Sequence, residues 1–243
     1  MVFVSALACL VLMIQPPIAQ DPSYHNFADT NTLFGIVHFW NVVSNLPFLL
    51  VGLLGLYKLH VSKTLQVIPD LRFSYSLFFF GVALVSFGSC YYHVAPTNGT
   101  LVWDRLPMTI AFMALISVIV GEQLSEYWAK RSVIPLLLIG FLSVIYWHIT
   151  EQQGMGDLRL YALVQFLPML LIPILLLCFQ SKYSSCRGYW YLLLGYLAAK
   201  ILEHFDDEVF ALLGVMSGHP LKHVAAAIGI YFLIIGYERR AVR

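Results

Sequence analysis

Long apolar stretches, separated by short polar segments, dominate this chain. A helix needs roughly 20 mostly apolar residues to cross the hydrocarbon of a bilayer. Seven stretches approach or exceed that length: residues 34–57, 73–93, 105–121, 132–149, 158–179, 188–210 and 219–237. Because no long polar segment separates them, the pattern predicts an all-α fold, an integral membrane bundle of seven transmembrane helices within one domain, residues 21–243.

An additional hydrophobic segment lies at the N-terminus. In residues 1–20, MVFVSALACLVLMIQPPIAQ, the apolar part is about 14 residues long and ends at Pro16 and Pro17, a length typical of a signal peptide. No Lys or Arg precedes the apolar part, however, and the candidate cleavage position near Ala19 is weak. Two interpretations stay open: a removed signal peptide, or an extra N-terminal hydrophobic helix.

The composition supports the membrane class. Hydrophobic residues make up 60% of the chain and charged residues 11%, whereas soluble domains carry about 25% charged residues. The net charge of +1 and the absence of a basic run exclude nucleic acid as an expected partner. A membrane and its lipids are therefore the partners that the sequence predicts, and it identifies no protein partner.

Basic residues are distributed unevenly between the two sides of the predicted bundle. Three of them, Arg105, Arg159 and Lys222, lie on one side, and Lys200 lies within the sixth span. The other side holds Lys58, Lys63, Arg72, Lys130, Arg131, Lys182, Arg187, Arg239, Arg240 and Arg243. Short loops rich in Lys and Arg remain in the cytoplasm. We therefore expect the N-terminal end of the bundle to lie outside the cytoplasm and the C-terminus to lie in it.

The unusual polar residues all fall at the predicted outer face. The second span ends SFGSCYYH, in which Ser89 and His93 are four residues apart and share one helix face. The third span is preceded by Asp104 in VWDRLPM. The seventh begins with SGHPLKH, which places His219 and His223 one turn apart. Ionisable groups at membrane depth are costly and tend to be functional.

These residue types suit a catalytic metal site. Neutral imidazoles bind zinc, and three protein ligands with an open fourth position describe a catalytic rather than a structural zinc site. Zinc lowers the pKa of a bound water to about 7. Asp104 is placed to accept that water's proton, and Ser89 to donate to a developing oxyanion.

Each residue also has an ordinary interpretation. A lone histidine at a helix end is more often an interfacial or hydrogen-bonded side chain. Asp104 would favour the positive end of the third helix, and Ser89 would bond back to the carbonyl of Val85. In the sixth span Lys200, Glu203 and Asp207 share one face, which we interpret as a structural ion pair between Lys200 and Glu203.

Four segments together resemble one family. FWNVVSNLPF (39–48), GSCYYH (88–93), DRLPM (104–108) and GHPLKH (218–223) are similar, in order and spacing, to the alkaline ceramidases. That family belongs to a wider superfamily of seven-span hydrolases that includes the adiponectin-type receptors. The resemblance covers residues 24–237. It implies zinc held by His93, His219 and His223, with Ser89 and Asp104 at the catalytic centre.

The implied reaction is the hydrolysis of an amide bond in a membrane lipid. A ceramide-like N-acyl sphingoid would give a free fatty acid and an amine. One departure concerns calcium, which alkaline ceramidases bind with an acidic cluster before the first span and a Glu two residues before the Trp of FWN. Here His38 stands at that Glu position, and Asp29 is the single acidic residue between Tyr24 and Asn41. Calcium dependence is therefore doubtful.

The YHNFAD segment (24–29) resembles the bacterial branch of the family. That likeness implies a bacterial inner membrane, with the site facing the periplasm. Two alternative functions remain: a non-catalytic receptor-like or structural seven-span zinc protein, and a proton or ion pathway along Lys200, Glu203 and Asp207. The sequence contains neither G-x-S-x-G nor H-E-x-x-H, so it does not favour a serine hydrolase or a zincin.

Overall fold

The predicted all-α fold is confirmed. A computed structural model of the chain describes residues 2–243, and within them the regular elements are helices, with two isolated bridges and no β-strand. The α-helices are α1 (Val2–Met13), α2 (Phe39–Val43), α3 (Leu46–His60), α4 (Arg72–Val94), α5 (Asn98–Gln123), α6 (Glu126–Gln152), α7 (Arg159–Cys178), α8 (Arg187–His204), α9 (Asp206–Leu213) and α10 (Gly218–Arg239).

Six helical stretches within residues 2–243 are long and apolar enough to cross a membrane. They are Phe39–His60, Pro69–Val94, Asn98–Gln123, Glu126–Gln152, Arg159–Cys178 and Gly218–Arg239. Large apolar side chains face outward along the bundle, and Leu53, Phe87, Leu138, Leu170 and Leu197 are each at least 49% exposed. Such surfaces suit a hydrocarbon environment, as expected of a multi-pass membrane protein.

The remaining predicted span, residues 188–210, is interrupted. It forms α8 and α9, which meet at Phe205, where the backbone leaves helical geometry with φ −100° and ψ 38°. α8 alone is 18 residues long and carries Arg187, Lys200 and Glu203. It is therefore shorter than the six stretches above, although it packs along α10 for much of its length.

The first predicted span, 34–57, begins later than expected and is broken. Phe34 and His38 have positive φ values of 54° and 48°, which end any continuous helix before Phe39. The helix then breaks after Val43. Pro47 has no N–H to donate to the Val43 carbonyl four residues earlier, and this explains the break between α2 and α3.

The third span begins earlier than expected, at Asn98 rather than at residue 105. The side chain of Thr97 accepts a hydrogen bond from the Thr100 N–H at 3.1 Å, and Thr100 Oγ1 accepts one from the Thr97 N–H at 3.0 Å. This reciprocal capping starts the helix six residues before Asp104. Asp104 thus lies inside α5, and its interpretation as a residue at the helix end is wrong.

Helices α8 and α10 touch through paired glycines. A Cβ on Gly195 would lie 2.8 Å from the Cα of Gly229 and 2.9 Å from the carbonyl oxygen of Ala225. A Cβ on Gly188 would lie 3.2 Å from the Cα of Gly236. Both pairs therefore allow backbone-to-backbone contact, as small residues do between membrane helices. This contact fixes the position of α10 along α8.

The basic residues lie together at one end of the bundle, as their distribution predicts. Ion pairs join Lys58 to Glu238, Lys130 to Asp70, and Lys182 to Glu126 at this end. Arg240 and Glu122 form a buried pair there at 2.6 Å. The opposite end, where α4 ends and α10 begins, is called the histidine end below.

The segment between α1 and α2 crosses the histidine end. The Leu158 N–H donates to the Ile18 carbonyl at 2.8 Å, and the Gln20 N–H donates to the Glu151 carboxylate at 3.1 Å. Helix α1 itself packs beside α7, and its Leu10 is 60% exposed. The segment from Ile18 to His38 thus forms a cover over this end of the bundle.

The α8–α10 contact generates a stability prediction. Gly195→Ala places a methyl group against the backbone of α10, so we expect it to lower the free energy of unfolding by about 1–3 kcal/mol. The measurement is the thermal unfolding midpoint in detergent. Gly99→Ala is the matched control, because its Cβ would meet nothing closer than Thr97 Oγ1 at 3.7 Å. Equal midpoints for the two variants would contradict a tight α8–α10 contact.

Candidate metal centre

The structure brings three predicted histidines together at the histidine end. His93 lies in the last turn of α4, and His219 and His223 lie in the first two turns of α10. Their ring centroids are 4.9 to 5.2 Å apart, and one possible ligand atom from each lies within 4.8 Å of the others. Their exposed fractions are 1%, 5% and 6%. Within residues 2–243 this is the group with the geometry to hold a metal ion.

The ring nitrogens fit a metal ion. His93 Nδ1 and His219 Nε2 are both buried and have no hydrogen-bond partner in the described part of the chain. Buried polar atoms are normally hydrogen-bonded, because an unpaired one costs about 1–3 kcal/mol. Neutral imidazole is also the form that binds zinc, at about 2.0–2.1 Å. A shared cation would satisfy lone pairs that the protein itself leaves unpaired.

Ser89 and Asp104 lie beside each other next to this group. They come from α4 and α5, which approach closely at Gly88, where a Cβ would lie 2.0 Å from the carbonyl oxygen of Trp103. Ser89 is 2% exposed, and Asp104 is half-buried. Both line the same cavity as His223. The contact between α4 and α5 therefore puts a hydroxyl and a carboxylate in the wall of the cavity that His223 also lines.

That cavity has a volume of about 360 Å³ and two chemically different ends. Its deeper walls are apolar and come from α4, α5, α7, α8 and α10, with Phe78, Phe112, Met169 and Ile230 among them. The polar end holds Ser89, Asp104, Arg105, Lys200, Glu203, Lys222 and His223. A hydrocarbon chain fits the first environment, and a polar group fits the second.

A charged network closes the polar end of the cavity. Glu203 accepts a hydrogen bond from Lys200 at 2.5 Å, which is the predicted pair, and another from Lys222 at 2.5 Å. Lys222 stands between the two histidines of α10 in sequence, so its pairing links α10 to α8. Asp207 is exposed on α9, beyond the break at Phe205, and does not join the network. The expected row of Lys200, Glu203 and Asp207 is therefore not formed.

The position at which the resemblance implies a calcium-binding Glu holds His38 instead. The Phe27 ring packs on His93 and His219, with centroid distances of 4.8 and 4.5 Å. His38 Nδ1 donates to the His93 carbonyl oxygen at 2.8 Å. Calcium prefers carboxylate and carbonyl oxygens, which the His38 side chain does not provide. Phe27 and His38 instead cover the histidine group and hold the end of α4.

The chain's sequence was then compared with known proteins. The family described as Ceramidase matches residues 26–242. The chain belongs to the ceramidase family. No curated protein and no solved structure matches it. The matched range includes α2 to α10, all three histidines, Ser89 and Asp104. Membership supports hydrolysis of a ceramide-like lipid amide.

Ser44 is a residue of the histidine group's surroundings that the sequence analysis missed. Its hydroxyl donates to the Asn41 carbonyl at 3.3 Å, so its oxygen accepts from His223 Nδ1 at 2.8 Å. This assignment leaves His223 Nε2 as the nitrogen with the lone pair. The first span has polar residues at i, i+3 and i+4, namely Asn41, Ser44 and Asn45. This polar face was the sequence signal that could have indicated a role for Ser44.

Asp206 is the second missed residue. Its two carboxylate oxygens accept from the His219 N–H at 2.5 Å and from the Ala28 N–H at 3.0 Å. Ser217 occupies the N-cap position of α10, yet its side chain makes no capping hydrogen bond. Asp206, in α9, caps α10 instead by accepting from the His219 N–H. Its bond to the Ala28 N–H also connects the N-terminal cover to α10. The break at Phe205, which puts Asp206 there, has no clear sequence signal.

The histidine group predicts a bound metal. We expect the purified protein to carry about one zinc per chain, and His93→Ala to lose most of it, because two ligands bind far more weakly than three. Elemental analysis by mass spectrometry measures the content. His204→Ala, at an exposed histidine of α8, is the control and should retain zinc. Equal zinc content in the two variants would rule out the site.

Ser44 generates a separate prediction. Ser44→Ala frees the His223 ring, so we expect a loss of roughly 10- to 100-fold in zinc affinity, the usual effect of removing such an orienting partner. Competition with a fluorescent chelator measures it. The chain offers a matched control in Ser76→Ala, since Ser76 also bonds a histidine, His60, at 2.8 Å but at the basic end. An unchanged affinity in Ser44→Ala would show that the ring needs no such support.

Proposed function

We propose that this ceramidase-family chain is an intramembrane zinc-dependent hydrolase. It cleaves the amide bond of a ceramide-like N-acyl sphingoid lipid and releases a free fatty acid and an amine. The observation that carries the proposal is the buried group of three histidines, two of which have an unpaired ring nitrogen, beside a cavity that also holds Ser89 and Asp104.

His93, His219 and His223 would hold the zinc ion. A zinc ion bound there supplies Lewis-acid chemistry, polarising a carbonyl and lowering the pKa of water toward about 7. Three protein ligands leave a position open for water or substrate. Phe27 lies across His93 and His219 and limits access of bulk water from that side.

Ser89 and Asp104 perform the proton and charge chemistry in this proposal. The Ser89 hydroxyl donates to the amide carbonyl oxygen as negative charge develops on it. The Asp104 carboxylate accepts a proton from the attacking water and passes it to the amide nitrogen. The C–O bond forms, the C–N bond breaks, and the nitrogen leaves as an amine. The cavity's apolar walls hold the acyl chain during these steps.

The proposal includes the arrangement in the membrane. We assign α8 as the sixth of seven spans, because it packs along α10 and its charged residues Lys200 and Glu203 pair with each other. Residues 21–243 then form the seven-span domain, and residues 1–20 are either a signal peptide or an extra helix. The clustering of Lys and Arg at the basic end supports an outside N-terminus and a cytoplasmic C-terminus. In a bacterial inner membrane the histidine end would face the periplasm.

Asp104 gives the sharpest test of catalysis. Asp104→Asn keeps the shape of the side chain but removes the base, so we expect turnover of a ceramide to fall roughly 10²- to 10⁴-fold while zinc content stays unchanged. Release of fatty acid and sphingoid base is measured by mass spectrometry with purified protein in lipid vesicles.

Asp207→Asn is the matched control, because Asp207 is an exposed carboxylate at the same end of the bundle. It should keep wild-type turnover. A receptor-like or structural zinc protein predicts another result: no amide turnover in the wild type, and unfolding when His219→Ala removes the metal. That pair of results would replace the hydrolase proposal.

A further inference from the structure

Arg105 is an arginine buried at the polar end of the cavity with an unused donor. It is 5% exposed, and its guanidinium carbon lies 4.1 Å from the Trp147 ring centroid and 4.6 Å from that of Tyr161. Its Nη2 donates to Gln20 Oε1 at 2.6 Å. Its Nη1 has no hydrogen-bond partner in the described part of the chain.

No carboxylate lies within ion-pairing distance of this guanidinium in the described part of the chain. The charged residues lining the cavity are Asp104, Arg105, Lys200, Glu203 and Lys222, three cations against two anions, which leaves a net charge of +1. Glu203 is already shared by two lysines. A buried guanidinium normally has an anionic or acceptor partner, because removing it from water is otherwise costly.

We propose that Arg105 is a specificity residue that binds an anionic group on the substrate. Because the apolar walls take the acyl chain, the anionic group belongs to the amine half of the lipid amide. A carboxylate or a phosphate would accept from Nη1, as both do in arginine sites. This inference rests on the proposed amide hydrolysis and names its substrate class: N-acyl lipids with an anionic headgroup.

The competing interpretation is purely structural. Through Gln20 and Trp147, Arg105 ties the N-terminal cover to α5 and α6, and its stacking on aromatic rings adds stability. That interpretation explains Nη2 and the ring contacts. It does not explain why Nη1 remains without a partner at the wall of a cavity, which is the observation that favours a ligand.

Two substrate pairs isolate the anionic group. N-palmitoylglycine and N-palmitoylethanolamine differ by a carboxylate in place of a hydroxymethyl group, and ceramide 1-phosphate differs from ceramide by the phosphate. The ratio of kcat/KM for the anionic to the neutral member is measured for wild type, Arg105→Gln, Arg105→Lys and Arg159→Gln. Arg159 is the matched control because it lies at the same end and pairs with Asp157 at 2.8 Å.

We expect the wild-type ratio to favour the anionic member of at least one pair by about tenfold or more, the usual effect of one charge-assisted hydrogen bond. Arg105→Gln should reduce that ratio about tenfold, Arg105→Lys should reduce it less, and Arg159→Gln should leave it unchanged. A wild-type ratio of one or below in both pairs overturns the inference. So does an Arg105→Gln variant that slows both members of a pair equally, since a structural residue would do that.

A binding arm separates this inference from the proposed reaction and covers the case in which Arg105→Gln does not fold. The thermal unfolding midpoint of Asp104→Asn is measured with each lipid and with inorganic phosphate alone. This variant is used because we expect it not to cleave the lipids during the measurement. Greater stabilisation by the anionic lipids supports the inference even when wild type cleaves no amide, a result that would remove the proposed function alone. Two results would overturn the inference. One is equal stabilisation by the anionic and the neutral member of each pair, and the other is stabilisation by inorganic phosphate as large as that by the anionic lipids.

Discussion

Three buried imidazoles, two of which have an unpaired ring nitrogen, are the constraint on which the histidine end depends. Two unpaired ring nitrogens in a dry environment are unfavourable unless a cation binds them. The surrounding residues hold the rings toward one point: Ser44 bonds His223, Asp206 bonds the backbone of His219, and Phe27 covers the group. The folded bundle thus fixes ligand positions before any ion arrives, which is the arrangement that strong and selective metal binding requires.

Breaks in helices place the supporting groups. The interruption after Val43 lies where Ser44 reaches His223, and the interruption at Phe205 brings Asp206 to the start of α10. A continuous helix would have its backbone groups bonded internally and its side chains spaced by the helical repeat alone. Close contact between α8 and α10 through glycines holds the end of α8, and with it the second break, beside the start of α10.

Much of the site was predictable because its residues follow helical spacing. His219 and His223 are one turn apart, and the alternation of spans puts His93 and Asp104 at the same end. The supporting groups were not predictable in this way. Ser44 and Asp206 act on residues far along the chain, and the pairing of Lys222 with Glu203 joins two helices. The sequence did not indicate a binding role for Arg105, because that inference depends on the unpaired Nη1 donor, which is visible only in the folded chain.

Hydropathy alone was sufficient to define the all-α class, the number of apolar stretches and the end of the bundle that carries the unusual polar residues. These properties depend on the local free energy of placing each segment in hydrocarbon, which is a sum over neighbouring residues. Only the tertiary structure decided four other features. These are the helix breaks, the start of α5 at Asn98, the orientation of the histidine rings and the unpaired donor of Arg105. They depend on contacts between distant segments, and no local sum contains that information.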